Sequence, residues 1–199
     1  MAKRHLLVQG NLFAAKSRRP NGFAYAEPLI SARDEEQLLK HIRALPFKPF
    51  DFHGFIGKRR VVSFGWRYDF TKENLRPAGP IPTFLLPVRE KAAMFAKVPP
   101  ESLEQVLINE YAPGAGIGWH RDKRMFNDVV AVSLGSPCIL RLRRRCKQGW
   151  ERYSQELNAG SVYLLRGESR REWEHSVPPV EALRYSITFR NFVASEGSS

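Results

Sequence analysis

Residues 106–122 read VLINEYAPGAGIGWHRD. A run rich in Val, Ile, Leu and Tyr breaks at Pro113-Gly114, and a second short run ends in His120 and Asp122. Apolar runs of this length bounded by Pro and Gly are strand–turn–strand signals. Residues i and i+2 of a strand face the same side. Asn109 and Tyr111 therefore share one face, and His120 and Asp122 could meet one ion. Alone, the pair is equally compatible with half of a metal site and with a polar piece of surface loop.

Downstream the same texture continues. VVAVSL, CILRLRR, SVYLLR, REWEHSV and RYSITFRNF are punctuated by Gly135-Ser136-Pro137, Asn158-Ala159-Gly160 and Pro178-Pro179. Many short strands with turn signals between them predict an antiparallel sandwich or barrel. Upstream lie two helical patterns. ISARDEEQLLKHIRAL offers Ser31 as a cap and Leu38, Leu39, Ile42 and Leu45 as an apolar stripe. TFLLPVREKAAMFAKV starts near Thr83 and stops before Pro99-Pro100, with Leu86, Ala93 and Phe95 expected in the core. The fold class is α+β, mainly β, with N-terminal helices ahead of a double-sheet core at about 105–193. Residues 1–25 read as a flexible basic lead, 26–193 as a single domain and 194–199 as a frayed tail.

The chain has 199 residues and a net charge of +12. Basic clusters recur at Lys58-Arg59-Arg60, at Arg141 to Lys147 and at Arg166 to Arg171, with Trp66, Tyr68, Trp150, Tyr153 and Trp173 beside them. Charge interleaved with stacking surface suits single-stranded or flipped-base nucleic acid. The plainer alternative is a basic soluble protein. No stretch has the ~18 to 20 apolar residues of a membrane span, and no signal peptide is read at the start. Two cysteines, Cys138 and Cys146, make no disulfide framework. A cytoplasmic protein (nuclear in a eukaryote) is expected, without membrane partners and as a monomer.

A third ligand would decide the His120–Asp122 question. His5 lies in the lead, His41 on the first helix and His53 in a loop, whereas His175 ends a late strand. His-x-Asp with a distant His is the two-His-one-carboxylate facial triad, which leaves coordination positions open. The alternative for His175 is a core imidazole bonded to a backbone carbonyl. Beyond it, Arg184, Ser186, Thr188 and Arg190 share one strand parity, the arginines roughly 20 Å apart at ~3.3 Å per residue. Guanidinium forks match carboxylates in bidentate pairs. Two such side chains reaching toward each other could close on a small dicarboxylate, with Asn109 and Tyr111 adding hydrogen bonds. Each arginine could instead be a solvated strand edge.

With these residues in view, the sequence resembles the AlkB family of Fe(II)- and 2-oxoglutarate-dependent dioxygenases. The matching stretches are INEYAPGAGIGWHRD, VSLGSPCILRLR, RGESRREWEHSV and RYSITFR, with a weaker match at GKRRVVSFGWRYDF, together covering about residues 55 to 192. The resemblance implies a double-stranded β-helix (jelly-roll) core and Fe(II) held by His120, Asp122 and His175. It places 2-oxoglutarate against Asn109, Tyr111, Arg184, Ser186 and Arg190, with Arg184 on the distal carboxylate, and dioxygen as co-reactant. It implies oxidation of a carbon attached to a nucleobase nitrogen in DNA or RNA, as in alkylation repair, the carbon leaving as an aldehyde. A lid at about 50–75 would bring Trp66 and Tyr68 to the base, and Arg170 would support the iron site. Two positions depart from the family pattern. Arg124 stands where repair enzymes usually carry an acid against the damaged base, and Ser186 stands where Asn is usual. The same oxygenase chemistry on a tRNA modification, a protein or a small molecule is the alternative, as is a non-catalytic basic nucleic-acid-binding module.

Overall fold

The computed structural model describes residues 18–52, 55–69 and 72–194; His5 and His53 lie outside them. The strands in chain order are β1 (Phe23–Ala26), β2 (Lys48–Phe52), β3 (Phe55–Phe64), β4 (Trp66–Asp69), β5 (Asn74–Pro77), β6 (Gln105–Tyr111), β7 (Ile117–His120), β8 (Phe126–Gly135), β9 (Cys138–Cys146), β10 (Gly149–Leu157), β11 (Val162–Leu165), β12 (Glu174–Val177) and β13 (Arg184–Phe192). The helices are α1 (Ala32–Arg43), α2 (Leu86–Ala96) and the short α3 (Gly167–Arg171). Among the described residues no helix is long and apolar enough to cross a membrane.

The first helix forms where its signals place it. Ser31 accepts the Asp34 N–H at 3.1 Å, Asp34 and Glu35 occupy the first turn, and Lys40, His41 and Arg43 the last. Cap and charges together satisfy an orphan N–H and complement the helix dipole. Leu38, Leu39 and Ile42 are buried, while His41 stacks on Phe84. The second helix is preceded by a 3₁₀ turn, Thr83–Leu85, and its buried residues are Val88, Ala92, Ala93 and Ala96. Leu85 is fully buried, whereas Leu86 and Phe95, expected in the core, are half-buried.

The β core is the expected two-sheet jelly-roll. Seven strands run in the order β1-β11-β8-β13-β6-β3-β2 and four in the order β10-β9-β12-β7. One face of the large sheet, with Ile108, Val130, Val132, Ile187 and Phe189, packs on the helices through Ile42, Leu85 and Ala92. Its other face, with Tyr111, Ala131, Tyr163 and Leu165, meets Leu140, Leu142, Leu157 and Val177 of the small sheet. The polar residues of interest lie on this second face.

Two boundaries differ from expectation. Phe23–Ala26, whose first three residues fall in the stretch read as a flexible lead, is an edge strand paired with β11, because β11 would otherwise leave an open row of backbone groups. The segment read as a lid at about 50–75 is split. Its first part, β2 and β3, belongs to the large sheet, with Arg60 opposite Glu110 and Val61 opposite Asn109. Only β4 and β5 form a separate two-stranded hairpin. Cys138 and Cys146 are free and sit at opposite ends of β9, roughly 26 Å apart for an extended strand, too far for a disulfide.

Candidate active site

Strands β7 and β12 pair with His120 directly opposite His175, which brings the imidazole centroids to 4.2 Å. Asp122 is not on the strand with His120, as strand parity suggested, but in the loop just beyond it. It turns back all the same, and its Oδ2 lies 3.6 Å from His175 Nε2. No group of three or more His, Cys, Asp or Glu is complete at metal-ligand spacing among the described residues, and Asp122 Oδ1 leans on Arg190 Nη2 at 2.7 Å.

The chemistry of the three side chains nonetheless fits a divalent cation. Asp122 Oδ2 is buried without a hydrogen-bond partner, a costly condition that a cation relieves. His120 Nδ1 lies 2.9 Å from the Gly118 carbonyl, which can only accept, so Nδ1 carries the proton and Nε2 keeps its lone pair. Burial, then the neighbouring His120, pushes the pKa of His175 down to about 3. Burial likewise lowers that of His120. Burial works to raise the Asp122 carboxyl, but the combined fields of Arg190, His175, His120 and Arg170 more than reverse it and hold the group well below the usual carboxylate range. Two neutral imidazoles and one carboxylate are the donor set of a two-His-one-carboxylate site.

The large sheet supplies the other half. Arg184, Ser186 and Arg190 on β13 stand opposite Tyr111, Asn109 and Gln105 on β6, all on the inner face and all buried. Arg184 Nη2 donates to Ser133 Oγ at 3.2 Å, and its guanidinium lies 5.0 Å from the Tyr111 ring centroid. Its Nε and Nη1 are buried without partners, and no carboxylate pairs with it among the described residues. A buried guanidinium in that condition fits an incoming carboxylate. Arg190 is more committed than the sequence suggested, with Nη1 on Gln105 Oε1 at 2.8 Å and Nη2 on Asp122.

Arg59 was not singled out by the sequence beyond its basic cluster. It is buried, donates from Nε to Asn109 Oδ1 at 3.1 Å and lies over the Phe50 ring at 3.7 Å. Burial lowers its pKa, Tyr111 opposing and Arg190 assisting. Its neighbour Arg60 faces the other way and pairs with Glu110 at 2.6 Å. Strand parity in KRRVV separates the two arginines but does not say which one faces inward. Tyr163, buried on the same inner face, carried no sequence signal; burial raises its hydroxyl pKa.

The remaining candidates frame the opening. Trp66 meets Phe192 edge-on at 6.0 Å, and Lys123 Nζ lies 4.5 Å from the Tyr68 ring centroid, so the hairpin sits against the loop that carries Asp122. Arg124, in that loop, is exposed. Arg170 is buried and donates from Nη2 to the Lys123 and Phe126 carbonyls, clamping the loop beyond Asp122.

Comparison with known proteins bears on the family and the fold. A model of the 2OG-Fe(II) oxygenase superfamily matches residues 31–190. An Arabidopsis thaliana protein named "Alkylated DNA repair protein ALKBH8 homolog" is 28% identical over 175 residues, covering 75% of this chain and 48% of its own length. The Escherichia coli "Alpha-ketoglutarate-dependent dioxygenase AlkB" is 34% identical over 112 residues, 51% of each chain. This chain thus spans about half the length of these two relatives. The solved structure of OsALKBH1 superposes with a TM-score of 0.66 at 18% identity, covering 87% of this chain and 98% of that one.

Proposed function

The chain belongs to the 2OG-Fe(II) oxygenase superfamily, and from that premise we propose that it oxidatively removes alkyl groups from nitrogen atoms of nucleobases in DNA or RNA. Fe(II), 2-oxoglutarate and dioxygen are the cofactor and cosubstrates of the superfamily, and together they supply oxidation of an otherwise inert carbon. In this reading His120, Asp122 and His175 hold the iron. Arg184 takes the distal carboxylate of 2-oxoglutarate, with Tyr111, Asn109, Ser186 and Arg190 lining the rest of its seat. Arg170 keeps the Asp122 loop in place, and Trp66 and Tyr68 face the extruded base.

The observation that carries the reading is one juxtaposition. The orphaned Asp122 Oδ2 between two histidines shares an interior with a buried Arg184 that has no carboxylate partner among the described residues. A cation and a carboxylate anion complete both. The nucleic-acid part rests on the +12 charge and on the name of the Arabidopsis thaliana relative, an alkylated DNA repair protein homolog.

One observation favours a second reading, the same chemistry on an uncharged base modification such as those of tRNA. Arg59, Arg170, Arg184 and Arg190 surround the site, Asp122 is its buried carboxylate, and Arg124 offers no acid to a cationic base. Positive charge in a shielded site disfavours a positively charged lesion.

The test is anaerobic reconstitution with Fe(II) and 2-oxoglutarate, then mass spectrometry of methylated oligonucleotides after air is admitted. Cationic (1-methyladenine) and neutral (3-methylthymine) lesions are run in parallel. Loss of one methyl mass, absent in His120→Ala, is expected. Loss confined to the neutral lesion selects the second reading, and succinate without any loss removes nucleobases as substrates.

A further inference from the structure

The outer face of the four-stranded sheet carries an arrangement that the oxygenase chemistry does not use. On β9 the inward Leu140 and Leu142 alternate with Arg141, Arg143 and Arg145. Trp119 on β7 and Trp150 on β10 flank them, on the two edge strands of this sheet. The Arg143 guanidinium lies 4.3 Å from the Trp119 ring centroid and 4.2 Å from that of Trp150. Arg141 continues the row at 5.2 Å from Trp119, and Arg145 at 5.8 Å from Trp150. The result is an Arg–Trp–Arg–Trp–Arg stripe across the sheet, about 14 Å from edge to edge at ~4.8 Å per strand.

Beside the stripe opens a cleft of about 380 Å³ lined by five arginines, Trp150 and two glutamates. The glutamates are spoken for: Glu174 pairs with Arg143 at 2.6 Å and Glu172 with Arg144 at 2.9 Å. Arg121, Arg145 and Arg171, also in the cleft, have no carboxylate partner among the described residues. Trp150 is 37% exposed, a large apolar ring at the surface. Trp119 and Arg121 flank His120 in the chain, Trp119 on the sheet face opposite to it, and Arg121 donates to the Arg171 carbonyl at 3.4 Å, so the cleft adjoins the segment that carries His120 and Asp122.

We infer that this face binds the single-stranded flank of a nucleic-acid substrate, with phosphates on Arg121, Arg145 and Arg171 and a base against Trp150. Unpaired guanidinium groups beside an exposed indole match a phosphate chain carrying free base faces, the pattern of single-strand binding. An acidic peptide would use the arginines but leave the indole without a role. The inference rests on the nucleic-acid reading above, and its test separates the two.

Fluorescence anisotropy of end-labelled, unmodified mixed-sequence DNA and RNA 15-mers (the length being about that of one binding site) is measured with the full chain. Salt is varied between about 50 and about 200 mM. Arg145→Glu should weaken binding roughly tenfold at low salt and flatten the salt slope by about 1. Trp150→Ala should weaken it roughly tenfold, while Trp150→Phe, which keeps a stacking face, stays within about threefold of the parent. Thermal melts of all three variants should match the parent, since both positions are exposed. Parent-like binding by Arg145→Glu and Trp150→Ala overturns this surface and leaves the nucleic-acid reading standing. Failure of the parent chain to bind either 15-mer overturns both. Binding to phosphatidylserine vesicles without binding to the oligonucleotides assigns the face to a lipid surface and overturns the inference.

Discussion

Arg184 is only 2% exposed, and two of its three guanidinium nitrogens have no partner. Burying an uncompensated charge costs several kcal/mol, and an apolar residue of similar volume is often neutral or stabilising. Arg184→Met should therefore melt at or above the parent temperature without ligands, yet lose the thermal shift that 2-oxoglutarate produces in the parent. A variant that melts lower and keeps the shift would assign Arg184 to the scaffold instead. Arg166 presents the opposite case. It pairs with Asp128, whose side chain is 3% exposed, and also donates to the Ala96 carbonyl at 2.8 Å, tying β8 to the end of α2. Arg166→Met leaves Asp128 buried and unpaired, and chemical denaturation should show a loss of about 2–4 kcal/mol. Arg59 bears on selectivity rather than stability. Arg59→Leu should raise turnover of the cationic lesion relative to the neutral one at least severalfold in paired oligonucleotide assays; an unchanged ratio would mean that its charge does not reach the base.

The β4–β5 hairpin hangs on Gly65. Its φ is +70°, and a Cβ there would stand 1.9 Å from the Glu104 carbonyl oxygen. Gly65 also closes the hairpin base, donating to the Gly79 carbonyl at 2.7 Å and accepting from the Ala78 N–H at 2.8 Å. Gly65→Ala must displace backbone, so the strain of a left-handed non-glycine residue is joined by lost hydrogen bonds. Faster amide exchange confined to 66–77, with β8 and β13 still protected, is the expected signature; uniform protection would show that the hairpin does not depend on this turn. At this scale the sequence was legible wherever period alone decides. The apolar strands after residue 105 and the capped α1 announce themselves, whereas β10, whose GWERYSQEL alternates mostly polar residues, does not, and α2 is legible at Ala93 but not at Leu86 or Phe95. Its 3₁₀ turn advances the chain at three residues per turn, so Leu85 rather than Leu86 reaches the core. β1 was missed because its pairing with β11 is long-range, and FAYA offers no turn signal of its own. The candidate site was legible as residue types in order. Its closest hydrogen-bonded additions, Arg59 and Ser133, were not, since they depend on which strands lie next to β6 and β13.

The molecule divides its candidate site between two sheets. His120 and His175 come from the small sheet and Asp122 from the loop leaving it, while Arg184, Ser186, Asn109 and Tyr111 come from the large one. The Arg190–Asp122 pair crosses between the halves. A metal ion on one side and a dicarboxylate on the other would therefore each hold half of the sandwich, and together they would clamp it. Ligands that bind only the folded state stabilise it by about 2.7 kcal/mol at a hundred times their dissociation constant. For a chain of this size that is a rise of about 5–10 °C in melting temperature. Manganese(II), a divalent ion that suits carboxylate ligands, replaces iron in the measurement. Mn(II) and 2-oxoglutarate together should raise the melting temperature by more than the sum of their separate shifts, because each orders groups that the other needs. His175→Ala should abolish the Mn(II) shift and reduce that of 2-oxoglutarate to its value without metal. Strictly additive shifts in the parent chain, or a His175→Ala protein that keeps the joint excess, would show that the two sheets bind their ligands independently and that the clamp does not exist.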